Sequence, residues 1–156
     1  MKRRKQPSPK TLLHDARVVL RDCAAINVRL AARRITRFIE ARMAASGLTV
    51  AQFGLMTHIA AAGDDTIGAL AERSGLDQST LSRNLRLLER AGLVEITIVE
   101  KDLRRRAVWL TEKGALALEA AIPIWREAHE ALARAVDPEA VRDLAASTAR
   151  LTAPQA

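Results

Sequence analysis

From Gln78 to Arg86 the chain reads Q-S-T-L-S-R-N-L-R, and its polar side chains recur on a helical period. Gln78, Ser79, Thr80 and Ser82 offer short hydrogen-bonding groups at the start of this segment, and Arg83 and Arg86 add guanidinium forks. Such a set matches the edges of base pairs. Arginine takes the O6 and N7 of guanine, while hydroxyls and amides pair with base donors or acceptors. A helix beginning here also turns its free amides and positive dipole end toward any phosphate. Farther along come Arg104, Arg105 and Arg106, with Asp102 two positions ahead of the first. Arginine on a narrow β-loop suits the minor groove. The plain alternative is a solvated helix face, but such faces carry a Glu/Lys mixture instead of hydroxyls and arginines.

The other reactive residues form no motif. His14, His58, His129 and Cys23 are scattered, with no i, i+4 histidine pair and no Cys-x-x-Cys, so no metal or cofactor is expected. There is no Gly-rich phosphate loop, nucleophile elbow or His-Glu-x-x-His, which argues against an enzyme. Cys23 is the single cysteine and cannot make an internal disulfide. If Asp22 caps a helix, Cys23 falls in its first turn, where the dipole favours thiolate. Against this, the charge of Asp22 opposes thiolate, and most free cysteines are small buried hydrophobes.

Short helices must hold the polar segment in place. The pattern predicts a short helix over Thr11–Leu20 and a longer one over Asp22–Ser46, ended by Gly47. A capping box at Thr49 and Gln52, with Leu48 and Phe53 as its staple, starts a helix that runs to Ala62. Thr66 opens another through I-G-A-L-A-E-R-S, and Gly75 sits where a left-handed cap belongs. Asp77 is the expected N-cap of a helix over Gln78–Ala91, ended by Gly92. Its Leu81, Leu85 and Leu88 should pack inward on Ile67 and Leu70, with Ser79, Ser82, Arg83 and Arg86 opposite.

Two helices joined by Ser-Gly-Leu-Asp make a helix-turn-helix. The period then drops to two in V-E-I-T-I-V-E; K-D-L-R-R-R is expected to turn and A-V-W-L to return, a hairpin tipped with arginine. Thr111 caps a long helix carrying Leu118, Ile122, Trp125, His129, Leu132 and Val136 on one stripe, with a kink expected at Pro123. Asp137 and Pro138 restart a last helix with Val141, Leu144, Thr148 and Leu151 along one side.

Composition agrees with this mainly α reading. Hydrophobic residues make up 49% of the 156, enough for a core, whereas aromatics are only 3% and tyrosine is absent. The net charge is +7, of which residues 1–10 hold +5 with no acid, so they read as a disordered basic arm able to lie along phosphates. No apolar run approaches the roughly 20 residues that span a bilayer. The charged start lacks the apolar core of a signal peptide, so the expectation is a cytoplasmic chain with no membrane partner.

L-A-E-R-S-G-L-D-Q-S-T-L-S-R-N-L-R-L-L-E-R-A-G-L-V-E-I, followed by D-L-R-R-R and L-T-E-K-G, resembles the MarR family of winged helix-turn-helix transcriptional regulators. The likeness covers about residues 22–136. It implies a homodimer joined through N- and C-terminal helices (11–63 and 112–156) around a DNA-binding lobe (64–111). It implies too that two recognition helices enter successive major grooves of a pseudo-palindrome in double-stranded DNA. On this resemblance Arg104 enters the minor groove, oriented by Asp102, and Arg105 and Arg106 contact phosphates at best. The segment 112–156 has five basic and seven acidic residues, which turns it away from DNA and supports its use in a dimer.

Members of this family commonly release DNA, usually as repressors, when a small aromatic ligand or an oxidant alters the dimer. For a ligand the implied pocket would draw on Cys23, Ile26, Asn27, Leu30, Met56 and His58, with a helix arginine for a carboxylate. For an oxidant, Cys23 stands near the place of the sensing cysteine of the organic-hydroperoxide branch, although the tyrosines of that branch are missing. A winged helix used only for protein–protein assembly is the remaining alternative, and its recognition face would be apolar or acidic.

Overall fold

The computed structural model describes residues 11–62, 65–99, 102–149 and 151; the basic arm over residues 1–10 lies outside them. The chain divides into two compact units, residues 1–37 and 38–156.

In the first unit α1 (Leu12–Asp22) is followed by α2 (Ala24–Met43), whose last residues belong to the second. The expected break is present, but Asp22 is not a cap. It is the last residue of α1, and Cys23 is the extended joint, with φ −71° and ψ 107°. Side chains make this break without glycine or proline. Asn27 Nδ2 donates to the carbonyl of Arg21 at 2.8 Å, closing the end of α1. Arg21 grips the Asp22 carboxylate through both Nε (2.6 Å) and its terminal nitrogen (2.8 Å). No residue of α1 is buried, and Leu12, Leu13, Val19 and Leu20 are exposed.

The second unit holds the core. Met43, Met56, Leu70, Leu81, Leu85, Leu88 and Val108 are all but inaccessible. α3 (Val50–Ala62) starts at the expected box: Thr49 N donates to Gln52 Oε1 (2.9 Å) and Gln52 N to Thr49 Oγ1 (3.1 Å). Leu48 and Phe53, the staple pair, are both buried. Glu40 extends the cap by accepting from Val50 N at 2.8 Å.

Thr66 caps α4 (Ile67–Ser74) by accepting from Ala69 N at 3.3 Å, and Gly75 ends it at φ 64°. This left-handed turn leads into α5 (Gln78–Arg90), which packs on α3 and on the sheet. α6 (Glu112–Ala133) runs through Pro123, which has no N–H for its position in the helix, and packs against α3. Asp137 caps α7 (Pro138–Thr148), and no residue of α7 is buried.

The sheet has three antiparallel strands in the order β1-β3-β2. β1 (Asp65–Thr66) is two residues long and was not expected; its only signal is its pairing with Ala107 and Val108 on β3. β2 (Val94–Val99) and β3 (Asp102–Leu110) form the hairpin, with Val94 opposite Leu110 and Thr97 opposite Ala107.

One expectation is corrected here. Asp102, Arg104, Arg105 and Arg106 do not form the turn; they belong to the returning strand. Register jumps from Ile98↔Arg106 to Val99↔Asp102, so the regular pairing with β2 is interrupted between Asp102 and Arg106. A bulge of this kind bends and twists a strand. Lys101, the rest of the expected turn, and Glu100 before it lie outside those described.

Candidate nucleic-acid interface

At 100° per residue, Leu81, Leu85 and Leu88 share one side of α5, and all three are buried at 0–1% exposure. Each contributes about 1.5–3 kcal/mol by leaving water, so the rotational setting of this helix is firmly fixed. The opposite side then has to face outward. Ser79, Arg83 and Arg86 lie there together and are exposed; Gln78 (exposed) and Ser82 (half-buried) flank them. Thr80 is half-buried and turned to the helix start.

Two residues that sequence reasoning passed over share this outer side. Arg90 is exposed one turn beyond Arg86, its Nε donating to the Arg86 carbonyl at 3.2 Å. Leu87 is an exposed leucine, 44% accessible, beside the arginines. The signal was the helical period itself, extended by one turn.

The start of α5 is more organised than a simple cap. Asp77 Oδ1 accepts from Thr80 N (2.8 Å) and from Ser79 Oγ (2.6 Å), while Oδ2 accepts from Thr80 Oγ1 (2.7 Å). These bonds, that from Ser79 first, hold the Asp77 carboxyl well below the usual carboxylate range. The anion-binding end of the helix is therefore already occupied by the chain's own carboxylate.

The other expected site residues are divided between the two units. Cys23 is the half-buried joint between α1 and α2, and Asn27 is committed to the Arg21 carbonyl. Ile26 and Leu30 are each 37% exposed on α2, whereas Met56 is wholly enclosed in the core of the second unit. His58 lines a cavity of about 410 Å³ with Ala61, Ala62 and Arg73.

A second cavity, also about 410 Å³, lies between α3 and α6. Phe53, Thr57, Ala60, Ala61, Leu118, Ile122 and Trp125 line it, none of them among the expected pocket residues. Trp125 stacks on Phe53 at 6.0 Å between centroids and meets His129 at 5.1 Å. No lining side chain is charged, so the space suits an apolar or aromatic group.

Among the described residues, no three His, Cys, Asp or Glu side chains are grouped to hold a metal ion. No helix among them is long and apolar enough to cross a membrane.

Known proteins are similar to this chain in sequence and fold. The MarR family profile matches residues 46–105. Transcriptional regulator HosA of Escherichia coli is 40% identical over 77 residues, which is 49% of this chain and 57% of that relative. The chain thus spans little more than half the length of the curated relatives it matches. M. tuberculosis transcriptional regulator MosR, crystallised in complex with DNA, is 34% identical with a TM-score of 0.73, over 83% of this chain and 100% of that one. A mutant MarR from E. coli complexed with operator DNA shares the fold, with a TM-score of 0.70 at 22% identity over 88% and 94% of the two chains.

Proposed function

The chain belongs to the MarR family, and from that premise we propose that it is a transcriptional regulator that binds double-stranded DNA as a homodimer. α5 is its reading helix. The observation that carries this is the outer side of that helix, where Ser79, Arg83 and Arg86 stand exposed opposite three fully buried leucines. A helix fits the major groove, and arginine there pairs with guanine; the exposed Leu87 suits a thymine methyl group. The relative crystallised with DNA, MosR, supports DNA binding as the function.

In this reading Arg104 enters the minor groove from the bulged part of β3, oriented by Asp102 and flanked by Arg105 and Arg106. The partner of each copy is a second copy. Supporting this, α1 and α7 bury no residue, and leave Leu13, Leu20, Val141 and Leu144 in solvent. Two reading heads related by a twofold axis then meet a pseudo-palindrome with half-sites about one turn apart. The protein acts as a repressor, and a small aromatic ligand releases it. The α3–α6 cavity, with its Phe53–Trp125 stack, supports that release, since its volume is in the range of small-molecule sites.

Selection from random duplex DNA tests the reading. A symmetric pair of half-sites should be enriched, and its binding should weaken steeply with added salt as phosphate counterions return. Enrichment of no sequence would reject it.

A further inference from the structure

We infer that Asp77 fixes the hydrogen-bonding polarity at the leading end of α5, so that Ser79 and Thr80 meet DNA as acceptors and select a base bearing an amino group there, cytosine or adenine. The inference rests on the reading of α5 as the major-groove helix and goes beyond it to a rule for one base pair.

A hydroxyl has one proton to give. Ser79 gives its proton to Asp77 Oδ1 at 2.6 Å, and Thr80 gives its own to Oδ2 at 2.7 Å. What remains on each oxygen is lone pairs. A freely rotating serine can donate or accept and so discriminates poorly, whereas these two are held in one sense. In the major groove only cytosine N4 and adenine N6 offer a donor; guanine presents two acceptors and thymine O4 one.

Phosphate is excluded from the same place for two reasons. Its oxygens only accept, so they find no proton on Ser79 or Thr80. The Asp77 carboxylate also takes the amide of Thr80 at 2.8 Å and sets its negative charge at the helix end that would otherwise attract an anion. Backbone contacts then fall to the arginines, and the leading end is left to read bases. The depressed carboxyl of Asp77 keeps this arrangement intact at neutral pH.

Asp77→Asn separates polarity from capping. Asparagine is as good an N-cap as aspartate. Its oxygen can still accept from Thr80 N, but its amide nitrogen replaces Oδ2 and must donate to Thr80 Oγ1, which turns the threonine proton outward. Random-duplex selection with the wild type, Ser79→Ala and Asp77→Asn should give three related profiles. The wild type should prefer cytosine or adenine at one pair in each half-site. Ser79→Ala should weaken the preference at that pair, and Asp77→Asn, which reverses Thr80 while Ser79 still donates to the remaining oxygen, should relax it toward guanine or thymine. The ratio of operator to non-operator binding should fall roughly tenfold in Asp77→Asn, a one-base effect. If the asparagine chain fails to fold, Asp77→Ser, also a capping residue without charge, frees both hydroxyls and should erase the preference at that pair.

Failures of the two readings are distinguishable. A wild type that enriches nothing fails the major-groove reading and this rule together. An enriched operator whose base at that pair and whose ratio are unchanged in Asp77→Asn, or whose profile is untouched in Ser79→Ala, overturns the rule alone.

Discussion

Lys113 Nζ donates to the carbonyl oxygen of Ala91 at 2.7 Å, so the first turn of α6 closes the last turn of α5. An ammonium at this point also meets the negative end of the α5 dipole. Thr111 strengthens the joint: its Oγ1 donates to the Gly92 carbonyl at 2.7 Å, and its N–H donates to that of Leu93 at 3.1 Å. α5 therefore ends on the helix that lines the apolar cavity.

Gly114 is the residue this joint can least spare. A Cβ there would overlap the Leu93 carbonyl, which is backbone and cannot swing aside. Gly114→Ala should cost about 1–3 kcal/mol of stability, as overpacking does. Urea denaturation would show it as a lower midpoint, and an unchanged midpoint would mean that α6 approaches the turn less closely.

Acid should loosen the start of α5. The folded Asp77 carboxyl titrates below its unfolded value of about 3.9, so its contribution is complete above that pH and disappears as pH falls through the folded value. Thermal melts of the wild type should therefore decline between about pH 4 and pH 2 more steeply than those of Asp77→Asn, which lacks the titrating group. Parallel declines would remove Asp77 from the acid response.

The cavity between α3 and α6 has a built-in reporter in Trp125. In a Trp109→Phe background, benzoate should change the emission of Trp125 and weaken DNA binding. Ala60→Leu adds bulk to the lining and should abolish both effects while leaving DNA affinity intact. Responses to benzoate that survive Ala60→Leu would place the ligand elsewhere.

Leu13 and Leu20 are about 60% exposed and lie seven residues apart on one side of α1. If a second copy covers them, Leu13→Glu with Leu20→Glu should halve the mass in sedimentation equilibrium and weaken operator binding with it. A mass that stays that of a dimer would move the interface off α1.

Much of this fold could be read from local chemistry. Thr49 with Gln52, Thr66, Asp77, Thr111 and Asp137 each cap a helix within three residues, and all appear where the sequence expects them. The outer side of α5 follows from its leucine period in the same way. Features made by distant partners were harder to see. β1 exists only because Ala107 and Val108 pair with it, and the break at Cys23 depends on Asn27 reaching back to Arg21. The Phe53–Trp125 stack joins two helices far apart in the chain, so no window of sequence contains it. The Asp77 cluster was half legible: the cap was expected, but the capture of both hydroxyl protons needed coordinates.

Fluorescence anisotropy with the selected duplex, comparing the wild type with Arg83→Ala at one fixed salt concentration, tests the reading helix most directly. Arg83 stands exposed at the middle of the outer side of α5. Its loss should weaken binding by about 1–3 kcal/mol and relax the choice of one base in each half-site. Equal affinity and unchanged base preference in the two proteins would contradict the assignment of this surface to DNA.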